Sequence, residues 1–174
     1  MRRRAVVAGT FAVATAGCTD RVHDLAASTP RDLGVRSRYV PDDPLVDANS
    51  VRSRPHDIIT HAVSFRSAAE ATAAVRPDAD DARSFVDETS FLDDGGSSVL
   101  VVTQRLTAPG VDLRLGSVNR IGDHSLRIGV DEVGHRPGDD DPTVQTLLVR
   151  VTDDRAPPTR IVVSVEGDRV GVTI

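Results

Sequence analysis

From residue 97 onward the apolar residues of this 174-residue chain recur with a period of two, and that limits its fold more than any other feature. Val111, Leu113 and Leu115 alternate with Asp112 and Arg114, and Leu126, Ile128 and Val130 alternate with Arg127 and Gly129. Successive side chains on a strand point to opposite faces, so this spacing describes strands with one face in a core and the other in water. Residues 99–106 form a mostly apolar run suited to a central strand, and 147–151, 161–165 and 169–174 read as further strands. Gly122-Asp123 and Gly167-Asp168 are expected to be two-residue hairpin turns, with glycine where positive φ is needed.

Upstream of that region, residues 58–65 read as another strand. Ser67 and Glu70 have the spacing of a capping box, in which the hydroxyl accepts from the Glu70 amide and the carboxylate reaches back. Alanines at 68, 69, 71, 73 and 74 favour a short helix that Pro77 stops. Residues 78–81 read as a solvated turn and 82–88 as one more helical turn, before Phe91 and Leu92 enter the core. The expected fold is mostly β: an antiparallel β-sandwich or open barrel with one short helix, spanning 57–174.

The start of the chain obeys different rules. Arg2, Arg3 and Arg4 precede an uncharged, largely apolar run over 5–16 and then Gly17 and Cys18, the single cysteine. A charged start, a short apolar middle and small residues at the end form the layout of an export signal, and the run is shorter than the ~20 residues a spanning helix needs. The alternative is a buried helix with a packed cysteine. Thr15-Ala16-Gly17-Cys18 resembles a lipobox, where cleavage before the cysteine leaves it carrying lipid, and Arg3-Arg4-Ala5-Val6-Val7 resembles a twin-arginine export signal. The expected organisation is a signal peptide over 1–17, a lipid-anchored flexible tether over 18–56 and a globular domain over 57–174. Prolines at 30, 41, 44 and 55 punctuate the tether, with one short strand near 35–40. A loop-rich first part of the domain is the alternative for that segment.

Charge narrows the partners. All 21 basic residues are arginine, and the 26 acids comprise 22 aspartates and 4 glutamates. Loss of 1–17 would leave 18 arginines and a formal charge of −8. Net negative charge argues against binding nucleic acid. Dense carboxylate without lysine resembles proteins of extreme halophiles, in whose molar salt the Debye length falls to ~3 Å or less and repulsion is screened. A GC-rich genome is the alternative source of the arginine bias, though not of the aspartate excess.

The order of these features over 57–174 resembles exported haloarchaeal lipoproteins without an assigned function: strand, Ser-x-x-Glu helix, aspartate-rich turn, Phe91-Leu92, Val99-Leu100-Val101-Val102 and a hairpin-rich end. More distantly it is similar to the small β-domain of PrcB-type proteins, which are exported and linked with a protease. Where that domain has a glycine-rich turn, this chain has Thr107-Ala108-Pro109-Gly110, with one glycine.

Catalytic motifs are sparse. The chain has no Gly-x-Ser-x-Gly elbow and no His-Glu-x-x-His, and the lack of lysine excludes Schiff-base and phosphate-loop lysine chemistry. No catalytic residue and no cofactor are expected. His56 and His61 are weak candidate metal ligands that need a third from elsewhere, such as His124 or His135. The acidic stretches 93–96 and 138–141 have carboxylates for Ca²⁺ but lack EF-hand spacing, and solvated turns explain them as well. With no tryptophan and few aromatic rings, a sugar-stacking surface is not expected. Two functions remain. One is a non-enzymatic binding or structural domain, exported and held on the outer face of the membrane through lipid on Cys18. The other is an exported hydrolase or metal-dependent enzyme whose site assembles only in three dimensions.

Overall fold

The computed structural model describes residues 29–134 and 141–174, and these form a β-sandwich. The sheets have four strands each. In the first, β1 (Leu33–Val40), β6 (Thr143–Asp153), β3 (Ser98–Thr107) and β2 (Thr60–Phe65) lie in that order. In the second the order is β4 (Val111–Gly122), β5 (Ser125–Gly134), β7 (Arg160–Val165) and β8 (Asp168–Thr173). Of the two arrangements expected, the sandwich is the one found.

The hydrophobic pattern follows from what covers each strand. Leu113, Leu126, Ile128 and Val163 from the second sheet meet Val99, Val101, Val149 and Val151 from the first. The outer face of the second sheet is solvated, so β4 and β5 alternate. The first sheet is covered on both faces, because α1 (Ala68–Ala74) and α2 (Asp80–Asp87) pack against its outer side. Phe85, Val86 and Phe91 there meet Leu100, Val102 and Leu148, and β3 and β6 are therefore nearly continuous apolar runs. Each such side chain contributes about 1.5–3 kcal/mol when fully buried.

Four expectations need correction. The folded unit does not wait for residue 57. Strand β1 pairs along its length with β6, Leu45 and Val51 are buried, and Val46 and Arg76 exchange backbone hydrogen bonds with Ala74 and Pro44. The prolines that suggested a tether separate short elements that bury their apolar residues. The sandwich is also not wholly antiparallel: β6 crosses to the first sheet, so the returning β7 lies parallel to β5. Among the described residues two short α-helices are present where one short helix was expected, because Asp80–Asp87 completes a helix that buries Ala82, Phe85 and Val86.

The hairpin turns differ from each other and from expectation. Gly122 pairs with Ser125, so Asp123 and His124 make the first turn, without positive φ. In the second, Val165 pairs with Asp168, and Glu166 and Gly167 turn at φ 46° and 97°. Positive φ at both positions is the primed geometry that suits strand twist.

Candidate functional site

The inward faces of the strands end in charge. Arg105 continues the phase of Val99, Val101 and Thr103 along β3 but meets Glu132 of β5 and Asp168 of β8 instead of apolar groups. Its Nε donates to Glu132, and its Nη1 donates to Asp168 at 2.6 Å and to the Thr60 hydroxyl, which itself donates to Asp168 at 3.2 Å. Arg105 is buried, and burial works against its charge. The carboxylates of Asp168 and Glu132 outweigh that, so its pKa is raised. The Arg105 hydrogen bond in turn holds Asp168 below the usual carboxylate range.

The opposite end is closed by an arginine sent the other way. Arg120 of β4 donates through Nη1 and Nη2 to the two oxygens of Asp153 at 2.8 and 2.7 Å, and through Nη2 to Asp32 at 2.7 Å. Arg155 pairs with Asp32 and its amide donates to Asp153 at 2.9 Å. For Asp153, burial pushes the pKa up, but the Arg120 hydrogen bond and the backbone donors leave it below its ordinary value. Asp32 is likewise lowered on balance, its backbone hydrogen bond, Arg120 and Arg155 outweighing burial. Arg120 is raised, first by its hydrogen bond to Asp153. Each sheet thus sends one arginine to carboxylates of the other. Sequence reasoning missed both clusters, although the phase of the alternation along β3 points to the Arg105 one.

A third polar network holds the early segment onto the outer face of β3. Gln104, fully buried, donates to Asp43 at 2.6 Å and accepts from the Val51 amide at 2.8 Å, and Ser50 donates to the other Asp43 oxygen. Tyr39 lies at the seam between the sheets, its hydroxyl 2.8 Å from Asp112 Oδ1 and 2.6 Å from Gln145 Oε1. Burial, then Asp112, raises its pKa.

The three described histidines, His56, His61 and His124, belong to no shared cluster of metal-ligating groups. His61 is half-buried on β2 with its Nε2 3.2 Å from Arg54 Nη2. Burial, and then the Arg54 charge, hold its pKa below the ordinary value against an opposing backbone contact from Asn49. His56 is exposed in the turn before β2, and His124 sits in the β4–β5 turn beside the start of β7, where its carbonyl accepts from Thr159. Among the described residues no group of three or more His, Cys, Asp or Glu can hold a metal ion.

The acidic stretch 93–96 has local work to do. Asp94 accepts from the Ala68 amide at 2.6 Å and caps α1 beside Ser67, and Asp93 pairs with Arg66 at 2.9 Å. Gly96 lies where a Cβ would come within 2.3 Å of the Ser90 carbonyl oxygen, so no larger residue fits that approach. An open cleft of about 350 Å³ lies between the 41–44 turn and the start of α2, walled by Asp42, Asp78, Asp80 and Asp81 around Arg76. Arg76 pairs with Asp42 and Asp78 at 3.8 and 3.6 Å.

Arg3, Arg4, Cys18, His23, His135 and most of the acidic stretch 138–141 lie outside the described residues. No helix among the described residues is long and apolar enough to cross a membrane. No protein-family model, curated protein or solved structure matches the chain.

Proposed function

We propose that the chain is an exported lipoprotein, held on the outer face of the cell membrane by lipid on Cys18, whose β-sandwich is a non-enzymatic binding or structural domain. The observation that carries this reading is the layout of residues 1–18: arginines, a short uncharged apolar run, then Thr15-Ala16-Gly17-Cys18. The buried ionisable groups support the domain half of it. Arg105, Arg120, Glu132 and Asp153 are spent joining the sheets, which is a structural use of charge. The first described strand begins at Leu33, so the residues between Cys18 and that strand would link the sandwich to the lipid.

Mass spectrometry of the membrane fraction tests the reading. The expected product has its N-terminus at Cys18 and carries the added mass of lipid. A chain recovered with Met1 intact from the soluble cytoplasm would overturn it.

A further inference from the structure

We propose that Arg36 and Arg150, on the outer face of the first sheet, form a binding site for a soluble oxyanion of the phosphate class. The two residues lie directly opposite each other on β1 and β6. Both face outward, because Leu33, Val35 and Tyr39 of β1 and Leu147, Val149 and Val151 of β6 are the inward series. Like charges directly across a strand pair repel. Burial, and then the Arg36 charge, hold the pKa of Arg150 below its ordinary value.

Among the described residues the Arg36 side chain has no carboxylate partner, while Arg150 feels that of Glu88. Arg150 is fixed in place: its guanidinium lies 5.8 Å from the centre of the Phe85 ring and donates to the Glu88 carbonyl at 2.6 Å. Arg38 lies 5.3 Å from the centre of that ring and 3.6 Å from the Glu88 carboxylate, so Arg38 and Arg150 share that acid and Arg36 does not. Arg36 is exposed, and its side chain has no hydrogen bond or ion pair among the described residues.

The surface beside the pair is polar. Gly34, one outward position before Arg36, has no side chain to cover it and faces Thr152, whose hydroxyl is 2.8 Å from that of Ser98. Two guanidinium forks match the oxygens of a phosphate dianion, and hydroxyls can complete its coordination. A dianion also offsets both charges at once, which a single carboxylate does not. The net negative charge opposes any anion at long range, so binding has to come from the local arginine pair, which a small soluble oxyanion reaches without bringing an acidic surface up to the whole domain. This inference rests on the binding half of the function proposed above and is independent of the lipid.

The test is a titration of the full chain with inorganic phosphate, at fixed ionic strength under conditions where it is folded, followed through the Nε–H resonances of Arg36 and Arg150. The expected result is a saturable shift of both, with acetate at the same concentration giving much weaker binding. Arg36→Gln, at an exposed position with no described partner to lose, should weaken phosphate binding roughly tenfold or more. Arg36→Lys should fall between, and Arg114→Gln, which removes an equal charge from the other sheet, should change little. No saturable shift, acetate binding equal to phosphate, or equal weakening by Arg36→Gln and Arg114→Gln would each overturn the site. Cys18 processing is read separately by mass, so failure here and failure of the lipid reading are distinguishable.

Discussion

Arg120 on β4 grips Asp153 on β6 with both terminal nitrogens of its guanidinium, at 2.8 and 2.7 Å, and so joins one sheet of the sandwich to the other. The Asp153 side chain is 1% exposed, which makes the pair costly to break from one side. Removing one partner of a buried pair costs about 3–5 kcal/mol, whereas replacing both with apolar groups is often nearly neutral. Arg120→Met is therefore expected to lower stability by about that much in urea unfolding, and Arg120→Met with Asp153→Leu should recover most of it. A single-mutant loss below about 1 kcal/mol would show that the pair behaves like an exposed one.

Acid should loosen both ends of the sandwich. Asp153, Asp32 and Asp168 each have a folded carboxyl held below its ordinary value. As pH falls past about 4, the unfolded chain takes up protons first. Their contribution is thus fully present above that value and is lost as pH drops through the lowered folded values. His61 acts with the same sign at higher pH: with its folded pKa below the unfolded one, it costs stability as pH falls through about 6.5. Denaturant midpoints across pH should show both slopes, with His61→Asn removing the upper one and the paired Arg120/Asp153 replacement reducing the lower one. A midpoint flat from pH 7 to pH 3 would contradict these assignments.

Asp94 is expected to act as a helix cap. Asp94→Ala should cost about 1 kcal/mol, because the Ala68 amide loses its acceptor. Calcium should leave the melting temperature unchanged in both wild type and variant. Stabilisation by calcium that Asp94→Ala abolishes would restore the metal reading of this loop.

The sandwich was legible in the sequence because strand alternation reports which face is wet, and residues 111–115 and 126–130 lie on strands whose outer face is solvated. The second half of β4 was not legible. An extra residue at Gly116 shifts the register between Leu115 and Ser117, so Val118 and Arg120 point inward at positions where a strict period of two puts them outward. That shift also hid the Arg120 cluster. Arg105 and Glu132 lay in phase all along, but a charged residue at a strand end is ordinarily solvated, and only a partner from the other sheet makes it a buried pair. Strand β1 falls in a segment whose prolines and weak periodicity suggest a tether holding only a short strand near 35–40. Nothing local in 33–40 reveals that β6, over a hundred residues later, pairs with it.

Salt should stabilise the fold. The formal charge is −5 for the whole chain and −8 without residues 1–17, so self-repulsion opposes compaction and is screened as ionic strength rises. The urea midpoint should increase steadily with KCl towards molar concentrations, beyond any effect on the two buried arginine clusters, which salt screens less. A midpoint independent of salt would reject the halophile-like reading of the composition.

The most direct test of the account is where Cys18→Ser goes. Each buried CH₂ of a lipid contributes about 0.8 kcal/mol, and two acyl chains hold a protein stably where one does so only marginally. No described helix can cross a membrane, and the net negative charge disfavours an acidic lipid surface, so lipid on Cys18 is proposed as the whole anchor. Fractionation of cells expressing Cys18→Ser is predicted to show either folded protein released to the medium or uncut precursor still held by its signal. Cleaved Cys18→Ser protein that stays on the membrane through a high-salt wash would contradict the account.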